Sequence, residues 1–390
     1  MDGRANGIAV WVLGWAGLWL AGCGAQPDKK MSVPPQRIAV NPPESKANET
    51  EKRGIVRVFY ATDRQATGKT EAKDYFGSGR GELQLGWCDV SIPPNHKPGE
   101  LESPSVWKLE FRENKDKHVV LLNVQPAFGP RYLEEVRKRV ANSKEREAFV
   151  FVHGYNVTFA DAARRTAQMA YDLRFDGAPI FYSWPAKGDL LDYGTDGNNA
   201  EWSVAHLTDF LTGVARQTGA QEIHLIAHSM GNRVLVGALK SLAYQAGREP
   251  LPKFNQVVLT APDIDAAIFK RDIAPRIVST AQRITIYASE RDKALTLSQR
   301  LHGYPRLGDA GRNITLFPEW PNIEVVDASA VETGILGHSY YGDSATVLDD
   351  LEFVLSGLGG SDRGLLPQRS GAYWSFPPSR SAGSAPTVRR

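Results

Sequence analysis

From residue 148 onward, six short apolar runs (148–152, 179–182, 222–227, 255–260, 283–288 and 322–326) alternate with segments whose apolar residues recur at helical spacing, such as 160–173, 201–217 and 232–245. Strands that are apolar on both faces must be covered on both faces, and helices placed between successive strands supply that cover. The pattern therefore specifies a mostly parallel central sheet with helices on either side. In such an architecture the reactive groups gather beyond the carboxyl ends of the strands. A chain of 390 residues is long enough to bury a core of this kind, and its 46 basic and 44 acidic residues give a net charge of only +2. That balance excludes the basic footprint expected of a nucleic-acid-binding protein.

Ahead of the alternation, β-type runs at 55–60, 83–92, 105–111 and 119–124 are separated by Gly, Pro and Asn breakers and predict an antiparallel opening to the sheet. Gly77, Gly79 and Gly81 lie among these runs, but neither a P-loop lysine nor a helix follows, so they read as turn glycines. No cluster with metal-ligand spacing and no dinucleotide fingerprint occurs, and neither a metal nor another cofactor is expected. The two cysteines, Cys23 and Cys88, cannot form a disulfide framework.

The chain divides into four parts. Residues 1–22 read as an export signal: Arg4, then an apolar run from Ile8 to Leu20 that is short for a membrane span, then small residues. Residues 23–53 are polar and Pro-rich and predict a tether, residues 54–356 the folded domain, and the Gly-, Ser-, Pro- and Arg-rich stretch 357–390, with Trp374 and Phe376 as isolated apolar residues, a disordered tail or a loosely docked arm. Leu20, Ala21, Gly22 and Cys23 are similar to the bacterial lipobox. That similarity implies acylation of Cys23, attachment to membrane in the bacterial cell envelope, and, from Gly24 in the next position, delivery to the outer membrane.

The strand at 222–227 runs straight into His228, Ser229, Met230 and Gly231, and a helix begins near Asn232. Strand, sharp turn and helix are the setting of a nucleophile elbow, in which the serine takes a strained backbone and its neighbours two positions away must be small. Ala227 and Gly231 meet that demand, although alanine stands where the usual pattern has glycine. The competing reading is a turn serine that merely caps the helix. Acyl chemistry at Ser229 also requires donors for an oxyanion: the backbone N–H of Met230, at the positive end of the helix, and the N–H of Tyr155 in the loop after the strand 148–152. His153 in that loop reads as structural, as does His228.

A general base should follow the serine in the chain. His338, before the closing helix, is the candidate, while His302 reads as a solvated loop residue. For the carboxylate that orients the histidine, Asp292 follows the run 283–288 in the usual slot, and Asp263, after the run 255–260, is the alternative.

These residues carry a resemblance. Phe59 to Arg64, Gly81 to Pro93 with His96 and Gly99, Phe151 to Asn156, Ser183 to Pro185, the elbow and the His338 block are together similar to the α/β-hydrolase family known as domain of unknown function 900. The resemblance implies an α/β-hydrolase fold and an esterase or lipase-like activity but supplies no substrate; a small-molecule or lipid ester is inferred from the machinery of Ser229, His338 and Asp292, or Asp263 in its place. Tyr155, Trp184, Tyr193, Tyr340 and Tyr341 are equally readable as an acyl pocket or as core. Two other readings stand beside hydrolysis: acyl transfer to an envelope lipid or glycan, and a degenerate hydrolase retained as a scaffold or binding module.

Overall fold

The computed structural model describes residues 54–104, 110, 112–187, 193–245, 253–311, 314–331 and 339–378. The six apolar runs form β4 (Glu147–Val152), β5 (Ala178–Ser183), β6 (Glu222–His228), β7 (Phe254–Thr260), β8 (Ala281–Ala288) and β9 (Ile323–Asp327). All six are paired in parallel. The predicted antiparallel opening is β1 (Gly54–Ala66), β2 (Phe76–Ile92) and β3 (Val120–Ala127), with β1 also parallel to β5. Most of the run expected at 105–111 lies outside the described residues.

Alternation of side chains along each strand feeds two separate cores. On one face Ala148, Val150, Val152, Leu225, Leu259 and Ile286 pack with α1 (Gly129–Ala141), α3 (Tyr193–Gln217) and α4 (Gly231–Gln245). On the other, Phe149, Phe151, Ile226, Val258 and Tyr287 pack with α2 (Phe159–Asp172) and the closing helix that ends the domain. Short helices α5 (Ala266–Ile268) and α6 (Ala274–Ile277) lead into β8. Beyond β8 come α7 (Lys293–His302), α8 (Tyr340–Asp343) and the closing helix α9 (Ala345–Leu355).

The strand order is β10-β11-β9-β8-β7-β6-β4-β5-β1-β2-β3, where β10 is Leu366–Gln368 and β11 is Tyr373–Ser375. From β4 the chain steps outward to β5, then returns across β4 to β6 and continues the other way. The helices after β4 and β6 depart to opposite faces, the arrangement in which open α/β sheets place their sites where those strands end.

Of the stretch after 357, the part through residue 378 is docked on the domain rather than disordered. Strand β11 pairs parallel with β9, and β10 pairs with β11. Two features that composition conceals hold it. The Arg363 side chain is fully buried, with Nη2 2.8 Å from Glu324 and Nε 3.1 Å from Asp350. The Trp374 ring fills the space in which a β-carbon on Gly360 would stand, and Phe376 is buried. Residues 379–390, the signal segment 1–22 with its lipobox, Cys23 and the tether to 53 lie outside the described residues.

Removal of one partner from a buried ion pair strands the other charge in low dielectric. Arg363→Ala is therefore predicted to cost about 3–5 kcal/mol of unfolding free energy, read from the urea midpoint. An unchanged midpoint would show that residues after 357 stand outside the cooperative unit.

Candidate active site

Strand β6 ends at His228 and α4 begins at Gly231, leaving Ser229 and Met230 to make the turn. Ser229 takes φ 51°, in the left-handed region that a β-carbon disfavours. Strain of this kind costs on the order of 1–3 kcal/mol and persists only where the surroundings over-determine it. Here they do. The Ser229 N–H donates to the Thr260 carbonyl (3.0 Å), while its own carbonyl accepts from Asn232 N–H (3.1 Å), Asn232 Nδ2 (2.9 Å) and Asp263 N–H (3.3 Å).

The loop after β4 lies directly on this turn. A β-carbon on Gly154 would stand 2.8 Å from His228 Nδ1 and 2.9 Å from Ser229 Cβ, and one on Gly231 would collide with the His153 carbonyl. Only glycine at both positions lets the two backbones approach so closely. Tyr155, whose N–H is the expected second oxyanion donor, sits in this loop beside Asn156, itself at φ 57°. Met230, the other expected donor, is buried immediately ahead of α4, where backbone amides have no carbonyl within the helix to bond.

The loop is fastened from below by Arg64, at the far end of β1. Its guanidinium is buried and donates to Ser183 Oγ (2.8 Å), to the carbonyls of Gly77 and Ala186 (3.1 Å each) and to that of Val157 (2.6 Å). It also faces His153 Nε2 at 3.3 Å. An arginine can only donate, so His153 Nε2 accepts and Nδ1–H donates to the Gly154 carbonyl at 2.9 Å, which fixes a neutral tautomer. Burial, followed by the neighbouring Arg64 charge, pushes the His153 pKa down to about 3. Its ring stacks on Trp184 at 5.2 Å, and Trp184 Nε1 donates to the His153 carbonyl at 2.7 Å. Both ring nitrogens are engaged, in keeping with the structural reading of His153.

The two acid candidates have different surroundings. Asp263 is buried, and each of its oxygens accepts two side-chain donors: Oδ1 from Ser298 Oγ (2.6 Å) and Arg306 Nε (2.8 Å), Oδ2 from Arg233 Nη2 (3.0 Å) and the Tyr193 hydroxyl. Burial, the largest single influence, raises its pKa, but Arg233, Arg306 and the hydrogen bonds from Ser298 and Tyr193 together hold it below the usual carboxylate range. Four donors fill the lone-pair sites of a carboxylate. Asp292 is equally buried at the N-cap of α7, where Oδ1 accepts from the Leu295 N–H at 2.9 Å.

His338 lies outside the described residues, as does the side chain of Tyr340. Three residues after His338, Tyr341 packs its ring 4.3 Å from that of His228, the neighbour of Ser229. Trp184 and Tyr341 are thus core residues, whereas Tyr155 and Tyr193 are partly buried with their rings 5.4 Å apart. His302 is in the last turn of α7 rather than in a loop, with Nδ1 2.8 Å from the Ser298 carbonyl.

Sequence reasoning missed the roles of Arg64, Arg233 and Arg306. For Arg64 a signal existed: Asp63 and Arg64 close an apolar strand run, and charges placed there must be satisfied internally. Arg306 carries no such mark, since its contact with Asp263 spans 43 residues.

The His153 network has a pH signature. Its folded pKa of about 3 lies below the ordinary 6.5, so between these values the unfolded chain binds a proton that the folded chain does not. The contribution is complete above pH 6.5 and declines as pH falls toward 3. The slope is about 1.4 kcal/mol per pH unit for one proton. His153→Gln is predicted to lower stability at neutral pH and to flatten this acid limb, measured by urea unfolding across the window. A limb as steep as in the parent would contradict the neutral assignment.

Residues 131–354, more than half of the 390-residue chain, match the family described as alpha/beta hydrolase of unknown function (DUF900). An uncharacterized protein of Nostoc sp. (alr1448) is 31% identical over 67 residues, a match that spans 17% of this chain and 17% of that relative. Among solved structures, a putative hydrolase from Agrobacterium vitis S4 is similar at 10% identity and TM-score 0.33, over 74% of this chain and 98% of that one. The LpqC poly(3-hydroxybutyrate) depolymerase from Bordetella parapertussis is similar at 12% identity and TM-score 0.31, over 80% and 92% of the respective chains. Likenesses this distant say nothing of substrate. By its match across residues 131–354, the chain belongs to this family of α/β hydrolases of unknown function.

Proposed function

We propose that the protein is a serine hydrolase, a carboxylesterase or lipase-like enzyme that forms an acyl-enzyme on Ser229. The observation that carries this reading is Ser229 held at φ 51° between β6 and α4, with the Gly154 loop pressed against it. A serine that merely capped a helix would need neither the strain nor the approach of a second backbone.

In the proposed reaction, Ser229 Oγ attacks the ester carbonyl carbon as His338 takes its proton. The negative charge that develops on the carbonyl oxygen is met by the N–H groups of Met230 and Tyr155. Collapse of the tetrahedral species breaks the bond to the alcohol, which leaves with the proton from His338. Water, deprotonated by His338, then attacks the acyl-enzyme and releases the carboxylic acid and free Ser229. Asp292 accepts a hydrogen bond from the His338 ring, setting its tautomer and stabilising the imidazolium. Asp263, with four donors already, is the framework that holds Tyr193 and α7 in place. The proposed location is the bacterial cell envelope, most readily the outer membrane, with a lipid on Cys23 as the anchor. No helix among the described residues is long and apolar enough to cross a membrane.

Two substitutions test the arrangement on a panel of nitrophenyl esters of increasing acyl length. Asp292→Asn is predicted to lower turnover by about 10⁴ with its unfolding midpoint little changed. Asp263→Asn is predicted to lose stability instead, by about 3–5 kcal/mol, because it leaves Arg233 and Arg306 without their counter-charge. A folded, inactive Asp263→Asn beside a nearly normal Asp292→Asn would reassign the acid to Asp263. A parent protein inactive on every ester would contradict the proposed function.

A further inference from the structure

Helix α7 is bound to the site on one side and bare on the other. Its inner side carries the buried Asp292 cap, Leu295 and Ser298, the last bonded to Asp263. On its outer side Leu297 and Leu301, one helical turn apart, are 59% and 64% exposed. Tyr304, just past the Gly303 cap, is 65% exposed, and Ile268 in the adjoining α5 segment is 46% exposed. That segment is tied to the end of α7 by the Ala266 N–H, which donates to the Pro305 carbonyl at 3.1 Å. Single exposed apolar residues are ordinary, but a stripe of them on one short helix marks an interaction surface.

The charges around the stripe narrow the partner. Arg291, Lys293 and Arg300 are all exposed; Glu290, just ahead of the helix, is exposed too, but no acidic residue occurs from Lys293 to His302. We propose that this outer face of α7 docks on an anionic lipid bilayer, with Leu297, Leu301 and Tyr304 entering the interface and Arg291 and Arg300 meeting lipid phosphates. Apolar residues flanked by basic ones, with an aromatic ring at the boundary, suit a helix lying in the plane of a membrane surface. A second copy of the chain suits it less well, because a two-fold contact through α7 brings like charges together.

The location gives docking a purpose. The ring of His302, at the end of α7, lies 5.5 Å from that of Tyr193, and Tyr193 in turn lies 5.4 Å from Tyr155. The end of α7 that carries the stripe thus lies near Tyr193 and Tyr155, and a bilayer seated on the stripe would bring acyl esters close to the candidate site. The surface is read from exposure and charge alone, and only this use of it rests on the proposed hydrolysis.

The test uses residues 24–390, which lack both the apolar run Ile8 to Leu20 and the cysteine expected to be acylated, and flotation with vesicles of phosphatidylcholine alone or mixed with phosphatidylglycerol. The parent should favour the anionic vesicles. Adding Leu297→Ser with Leu301→Ser, or Arg291→Gln with Arg300→Gln, should each weaken that binding by about tenfold or more. The leucine pair should leave hydrolysis of a soluble short-chain ester unchanged. Equal binding of parent and both paired variants overturns the proposal. So does concentration-dependent self-association that the leucine pair abolishes, which would make the face a contact between copies. Absence of ester hydrolysis with the binding difference intact would count against the proposed function and leave the docking surface standing.

Discussion

Two stretches of backbone, the turn at Ser229 and the loop at Gly154, touch where side chains ordinarily keep backbones apart, and the rest of the site is arranged around that contact. Gly154 has no room for a β-carbon against His228 and Ser229, and Gly231 has none against His153. The contact follows from sheet topology. Strands β4 and β6 are neighbours in register from Glu147↔Glu222 to Val152↔Ala227, so their following loops start side by side and can diverge only after passing each other. A candidate oxyanion donor from the first loop and a candidate nucleophile from the second are neighbours because the strands are.

Fastening this contact takes polar groups that are expensive to bury. Arg64 is the clearest case: a guanidinium withdrawn from water and satisfied mainly by carbonyls, with burial lowering its pKa to about 10. It remains charged at neutral pH and keeps His153 neutral, so that the histidine can brace the loop without repelling it. On the other side of Ser229, Arg233 and Arg306 converge on Asp263, whose N–H also bonds the Ser229 carbonyl. The elbow thus lies between two arginine networks, that of Arg64 buried and that of Arg233 and Arg306 partly so. This agrees with the general rule that a strained residue persists where its surroundings leave it no alternative.

Much of this was legible in the sequence because it rests on local pattern. The parallel strands appear as short apolar runs, and the elbow as small residues flanking Ser229 at a junction of strand and helix. Whether the chain after 357 is disordered or docked was not legible, because its order depends on distant partners: Arg363 is buried against Glu324 and Asp350, 39 and 13 residues upstream, an arrangement composition does not encode. The surroundings of the two aspartates were similarly hidden. Asp263 and Asp292 each follow a strand, and the four side chains that close on Asp263 come from positions 30 to 70 residues away, which local pattern does not show.

The central claim is that Ser229, strained and braced, is a nucleophile. The most direct test is covalent: reaction of the folded protein with a fluorophosphonate, followed by intact mass and peptide mapping. The account predicts one adduct per chain, located on Ser229 and absent from Ser229→Ala. A folded wild-type protein that takes up no label, or one labelled equally after Ser229→Ala, would contradict it.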